Sequence, residues 1–122
     1  MMNGMVTGLQ ARMEILLILE NHSMMGVECV VDTGFEGFLT LPLDIIQNYG
    51  LVYLEPIDAS LADNSSIVTH VYEGVIFWNG MERSIPILAM GNFPLIGTAL
   101  LKGSHLSIDF CDAVIVTVDE IQ

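Results

Sequence analysis

The chain has 122 residues and a mass of 13.4 kDa, enough for one compact domain spanning 1–122 and too little for a second. Hydrophobic residues are 52% and charged residues 15%, which excludes a disordered tail and favours a packed core. Three Lys+Arg against fifteen Asp+Glu give a formal net charge of −12. A chain so poor in cations is a bad partner for nucleic acid or an anionic membrane, and for phosphate-rich cofactors unless a metal intervenes.

Taken in chain order, Gly, Pro, Asn and Asp recur at short intervals between β-branched and apolar runs, so an all-β domain built from hairpins is expected. Residues 9–20 read as a strand, with a turn at Asn21-His22-Ser23 and a buried strand from Val27 to Val31 ending at Asp32. Phe38–Leu41 is a further short strand. The stretch from Pro42 to Tyr49 reads as a short helix, with Pro42 in its first turn, Leu43, Ile46 and Tyr49 on one face, and Gly50 as its stop. Residues 53–61 form an extended arm and Ala62-Asp63-Asn64-Ser65 a turn, after which Ile67, Thr69 and Val71 alternate as in a half-exposed strand. Asn79-Gly80 is the strongest hairpin signal, flanked by Val75–Trp78 and Arg83–Met90. Thr98–Lys102 suits one or two helical turns, closed by Gly103, and the last strands are Leu106–Phe110 and Ala113–Val118.

Cys29 and Cys111 are too few for a disulfide scaffold and read as two buried free thiols, with a pairing across the core as the alternative. The eight methionines show no helical stripe and read as core filler. Trp78 reads as a packing residue. Asp109, Asp112, Asp119 and Glu120 suggest a solvated acidic edge, since they lack the loop pattern of a calcium site. His22, His70 and His105 have no zinc-ligand spacing. No basic cluster precedes the short apolar run at 15–19, and no apolar stretch reaches membrane-spanning length, so a soluble cytoplasmic protein is expected.

The segment that points to chemistry is Val30-Val31-Asp32-Thr33-Gly34. Two apolar β-branched residues lead out of the core, an acid stands at the strand end, and a glycine lets the backbone turn sharply and approach a ligand. The plain alternative is a turn acid bonded to nearby backbone amides.

With Leu95-Ile96-Gly97-Thr98-Ala99-Leu100-Leu101, whose glycine stands 65 positions after Asp32, this segment resembles the retropepsin-like aspartic proteases, the single-domain family that includes the retroviral enzymes. Asp32 through Pro42 looks especially like bacterial members, and the resemblance runs from about Leu9 to Val118. It implies an all-β, retropepsin-like closed β domain with one or two short helices, acting as a symmetric homodimer. It further implies that Asp32 is the catalytic carboxylate of an aspartic endopeptidase and that Thr33 braces the partner's loop. Gly34 would lie beside the substrate. Leu95, Ile96 and Gly97 would pack against the Asp32 loop and border the substrate with Phe35 and Glu36. The arm from about Asp58 to Val71 matches a flap, with Ala62, Asp63 and Asn64 near its tip. No cofactor or metal is implied, and the partners are a peptide or protein substrate and a second copy of the chain, with Ala113–Val118 as an interface strand.

The match departs at three points. Phe35 stands where many members have Ala, Ser or Thr, so it is expected to narrow the cleft or turn into the core. Thr98 follows Gly97 where retroviral enzymes have an Arg, leaving Glu36 without that partner. Asn64 stands alone where flap glycines often occur. The second reading is therefore a catalytically silent dimer of the same fold that binds extended peptides. Phosphoryl transfer through Asp32 is disfavoured, because only Arg12, Arg83 and Lys102 can offset phosphate charge.

Overall fold

Alternation is the organising pattern of the chain. In β2 (Gln10–Ile18) the side chains of Ala11, Met13, Ile15 and Leu17 are buried while their neighbours are more exposed, as a strand with one wet face requires. The structure is a computed structural model, and it describes residues 2–60 and 62–121. Around β2 stand β1 (Met2–Thr7), β3 (Met24–Val31), β4 (Leu39–Leu41), β5 (Val52–Ser60), β6 (Ser66–Trp78), β7 (Met81–Ala89), β8 (Leu95–Ile96), β9 (Ser104–Ser107) and β10 (Ile115–Glu120). Two helices, α1 (Leu43–Tyr49) and α2 (Thr98–Leu101), interrupt them.

The strands form a ten-stranded sheet in the order β5-β6-β7-β4-β8-β3-β2-β1-β10-β9. An additional β6–β2 pairing, Leu17 with Ile76 and Ile18 with Val75, closes six of them into a barrel. Closure removes open edges from the barrel itself. Its interior holds Met13, Ile15, Leu17, Leu39, Ile76, Ile85, Ile87 and Ile96, all essentially inaccessible to water. Each such side chain contributes about 1.5–3 kcal/mol relative to exposure. Beyond the barrel, the first half of β6 pairs only with β5 and β7, and the β5–β6 hairpin projects outward from Val52/Glu73 to Ser60/Ser66.

Most expected elements are present, with shifted ends. Trp78 faces Met81 across Asn79 and Gly80, whose φ values of 51° and 79° are those of a tight two-residue hairpin. Trp78 is buried. α1 has Pro42 at its N-cap, and left-handed Gly50 returns its amide to the Ile46 carbonyl. Its buried face is Ile45, Ile46 and Tyr49; Leu43 is 46% exposed because the first turn overhangs the core. The extended arm is β5 together with a turn at 62–65, where Asn64 is left-handed with φ 67°. Leu61, assigned to that arm, lies outside the described residues. The two expected strands around residues 67–78 are one 13-residue strand running through Gly74.

Several expectations are corrected. β1 had no counterpart, and the turn before β2 is Gly8-Leu9, where Leu9 adopts φ 60°. The strand expected at Leu106–Phe110 is Ser104–Ser107, and Phe110 is exposed. Left-handed Ala113 makes a turn, so the last strand starts at Ile115. That strand, β10, has β1 on one side and β9 on the other, so its backbone groups are committed within the chain and do not offer a pairing edge to a second copy. Met5, Met24 and Met81 are exposed, the last at 72% on a hairpin end, whereas Met13 is in the core. Among the described residues, no helix is long and apolar enough to cross a membrane.

The thiols also separate. Cys29 is fully buried and its neighbour Cys111 in type is exposed; both are free. Burial, reinforced by the Glu28 carboxylate, pushes the Cys29 thiol up to about 12. In native protein at pH 8, a disulfide-exchange reagent is therefore expected to titrate one thiol rapidly and the second only after unfolding. Two rapidly reacting equivalents would contradict this burial.

Candidate functional site

The site begins where β3 leaves the barrel. Val30 and Val31 pair in parallel with Leu95 and Ile96 of β8, and the Asp32 amide donates to the Ile96 carbonyl at 2.9 Å. The apolar pair thus pins the acid at the end of a rigid strand. The chain then turns: the Gly34 amide donates to Asp32 Oδ1 at 2.9 Å and the Phe35 amide to the Asp32 carbonyl at 3.2 Å. Asp32 is partly buried, with one oxygen held by backbone and no charged partner among the described residues.

After Gly34 the loop crosses over β8 and descends as β4 on its other side, where Leu39 and Thr40 pair antiparallel with Ile96 and Leu95. The short strand β8 is therefore clasped by both arms of one loop. The amides at the start of α2 complete the clasp. Gly97 donates to the Phe38 carbonyl at 3.0 Å, Thr98 to Phe35 at 2.8 Å and Ala99 to Gly37 at 3.1 Å. These groups would be orphans at a helix start, and the loop satisfies them. The buried Thr40 hydroxyl accepts the Leu95 amide at 3.1 Å.

Gly97 is the point of closest approach. A Cβ there would meet the Gly37 carbonyl oxygen at 2.1 Å, the Phe35 ring at 2.6 Å and the Phe35 carbonyl oxygen at 2.8 Å. Phe35 covers both Gly37 and Gly97 with its ring and still borders the cleft beside Asp32. Its ring lies over the loop's own glycine and Gly97 at the cleft border and does not join the core cluster, so it stands at the cleft rather than turning into the core.

The cleft has a volume of about 670 Å³. One wall is the loop, with Asp32, Gly34, Phe35, Glu36 and Gly37. Facing it are Ile57, Asp58, Ser60 and Ala62 from the projecting hairpin, and Leu88, Met90 and Leu95 form the remaining border. Of the residues singled out from sequence, Asp32, Gly34, Phe35, Glu36, Ala62 and Leu95 meet at this cleft. Thr33 is exposed beside it but not on its wall. Asp63 and Asn64 are exposed at the hairpin turn, where the Ser65 hydroxyl and amide bind the Asp63 carboxylate and hold it below the usual carboxylate range. Ile96 is fully buried and Gly97 lies under the loop, so both support the site from beneath rather than face a ligand.

Sequence reasoning did not single out Gly37, Ile57, Leu88 or Met90. Leu88 and Met90 come to the cleft through the parallel β4–β7 pairing, in which Thr40 faces Leu88 and Leu41 faces Ala89. That contact spans more than forty residues and leaves no local trace. A separate cavity of about 320 Å³, bordered by Ile18, His22, Tyr49 and Glu73, contains none of the candidate residues.

No protein-family model matches this chain, and no curated protein matches it. Among solved structures it is similar to a crystal structure of a retropepsin-like aspartic protease from Rickettsia conorii, with a TM-score of 0.56 over 94% of this chain and 87% of that one. The fold is retropepsin-like. Sequence identity over the match is 18%, so the likeness is one of architecture. In this retropepsin-like barrel, the Asp32 loop and the strand carrying Leu95 and Ile96 are neighbours in space despite their separation in sequence. Within the same fold, Thr98 uses its amide and hydroxyl on the Phe35 carbonyl, and Glu36 has no cationic partner among the described residues.

Proposed function

We propose that the chain is an aspartic endopeptidase that hydrolyses extended peptides as a symmetric homodimer, using Asp32 from each subunit. The observation that carries this reading is Asp32 itself: a half-shielded carboxylate, fixed at a strand end by the Gly34 and Ile96 backbone, on the wall of a cleft. The retropepsin-like fold supports it.

One carboxyl cannot be base and acid at once. Peptide hydrolysis needs a base for the water and an acid for the scissile carbonyl. A two-fold axis beside residue 32 supplies the second group, and like charges so close share one proton. The ionised member takes a proton from the attacking water while the protonated member donates to the carbonyl oxygen. The tetrahedral diol collapses with proton transfer to the departing amine. The hairpin opposite the loop supplies a backbone edge for an extended chain, with side chains alternating between walls. Here Glu36, Phe35 and Leu95 border the substrate from one side and Ala62 from the other.

Digestion of a denatured protein, blocked by a statine-type inhibitor, tests the reading. The second reading, a silent peptide-binding dimer, is favoured by the Phe35 ring in the cleft. It predicts peptide binding with no digestion.

Charge sets the conditions. Each subunit carries −12, so a dimer carries −24. Self-repulsion opposes assembly at neutral pH and low salt, and protonating carboxylates relieves it. Sedimentation across pH 4–8 is expected to show tighter dimers on mild acidification, with proteolysis rising in parallel. Weaker association on acidification would contradict this.

A further inference from the structure

We infer that the cleft at Asp32 selects extended peptides that carry a lysine or arginine side chain among apolar neighbours. This rests on the peptide reading above and adds the chemistry of the bound chain.

The cleft combines two features. Phe35, Ile57, Leu88, Met90 and Leu95 make its border apolar, while Asp32, Glu36 and Asp58 are carboxylates on the same border. Among the described residues, no Lys, Arg or His borders it. The three Lys and Arg side chains of the chain stand elsewhere. Arg12 lies 3.7 Å from Glu28 and 5.0 Å from the centre of the Phe93 ring. Arg83 stands 5.5 Å from the centre of the Phe38 ring, and Lys102 borders a different cavity together with Glu82 and Glu120. Among the described residues, Arg12–Glu28 is the one ion pair. The cleft acids therefore have no internal countercharge.

Glu36 comes from the loop and Asp58 from the facing hairpin, where it stands opposite Val68 in β6. Among the described residues, no three acidic, histidine or cysteine side chains converge as a metal set. Carboxylates divided between two walls suit a chain lying between them. A concave, partly apolar wall focuses their field and concentrates a cation there. The methylene stem of Lys or Arg lies along the apolar border while its head reaches a carboxylate. An acidic peptide meets repulsion at the same place, added to the field of a chain at −12.

The test uses peptides identical except for Lys, Gln or Glu at one position between apolar residues. Wild-type kcat/KM is expected to be about tenfold or more higher for Lys than for Glu. The ratio should fall toward one in the Glu36→Gln/Asp58→Asn double variant and in high salt. A folding defect would lower all rates together and leave the ratio intact. Anisotropy binding of the same peptides to Asp32→Asn reads selectivity without hydrolysis. A Lys preference in binding with no wild-type cleavage upholds this inference and removes the peptidase reading. Equal binding of Lys and Glu peptides, binding of none, or an unchanged preference in the double variant overturns it.

Discussion

Asp32→Asn is expected to lower kcat for peptide cleavage by roughly 10³-fold or more, the scale of positioned acid–base catalysis. The change is nearly isosteric, and an amide oxygen can accept the Gly34 amide as Asp32 Oδ1 does at 2.9 Å. The loop is also held independently, by the Ile96 carbonyl at the Asp32 amide and by the contacts of Phe35, Gly37 and Phe38 with the start of α2. Folding and association should therefore survive. What is lost is the exchangeable proton: two amides facing each other can neither activate water nor protonate a carbonyl. A kinetic assay beside thermal unfolding and sedimentation of the same sample separates the effects. Equal digestion by wild type and variant would show that Asp32 is not the catalyst.

Gly97→Ala is expected to cost about 3 kcal/mol or more, the upper end for overpacking a close contact. The atoms nearest the new methyl are mainly backbone, at 2.1 Å for the Gly37 oxygen and 2.8 Å for the Phe35 oxygen, and neither can move without opening the clasp over β8. Because that clasp positions Asp32, activity should fall further than the loss of folded protein explains. Gly26→Ala is the matched control. The three atoms nearest its methyl are all at the carboxyl end of exposed Glu14, which can swing into water, so the expected change is within about 0.5 kcal/mol. Urea unfolding of both variants reads the difference. Equal stabilities would mean that the loop does not bear on Gly97 as described.

These two glycines also show what a sequence exposes and what it hides. Asp32-Thr33-Gly34 is legible because its signal is local: an apolar strand, an acid and a turn. Asn79-Gly80 is legible for the same reason, since both residues tolerate positive φ. The clasp over Gly97 is not, because its reason for lacking a side chain lies at residues 35 and 37. β1 was hidden in the same way. Gly4 weakens its strand character, yet a Cβ there would meet the Arg12 carbonyl at 2.0 Å, so the absent side chain is what lets β1 lie beside β2. The turn at Gly8-Leu9 was hidden because leucine rarely adopts φ 60°; here strand pairing on both sides imposes it. The far border of the cleft, Leu88 and Met90, depends on a parallel pairing that no turn announces.

The most direct measurement is the distance between the two Asp32 carboxyl groups in a crystal structure of the assembled protein. Oxygens about 3 Å apart, close enough to share one proton, are the expected result. Asp32 carboxyls separated from each other in every assembly the protein forms would contradict hydrolysis by a symmetric pair.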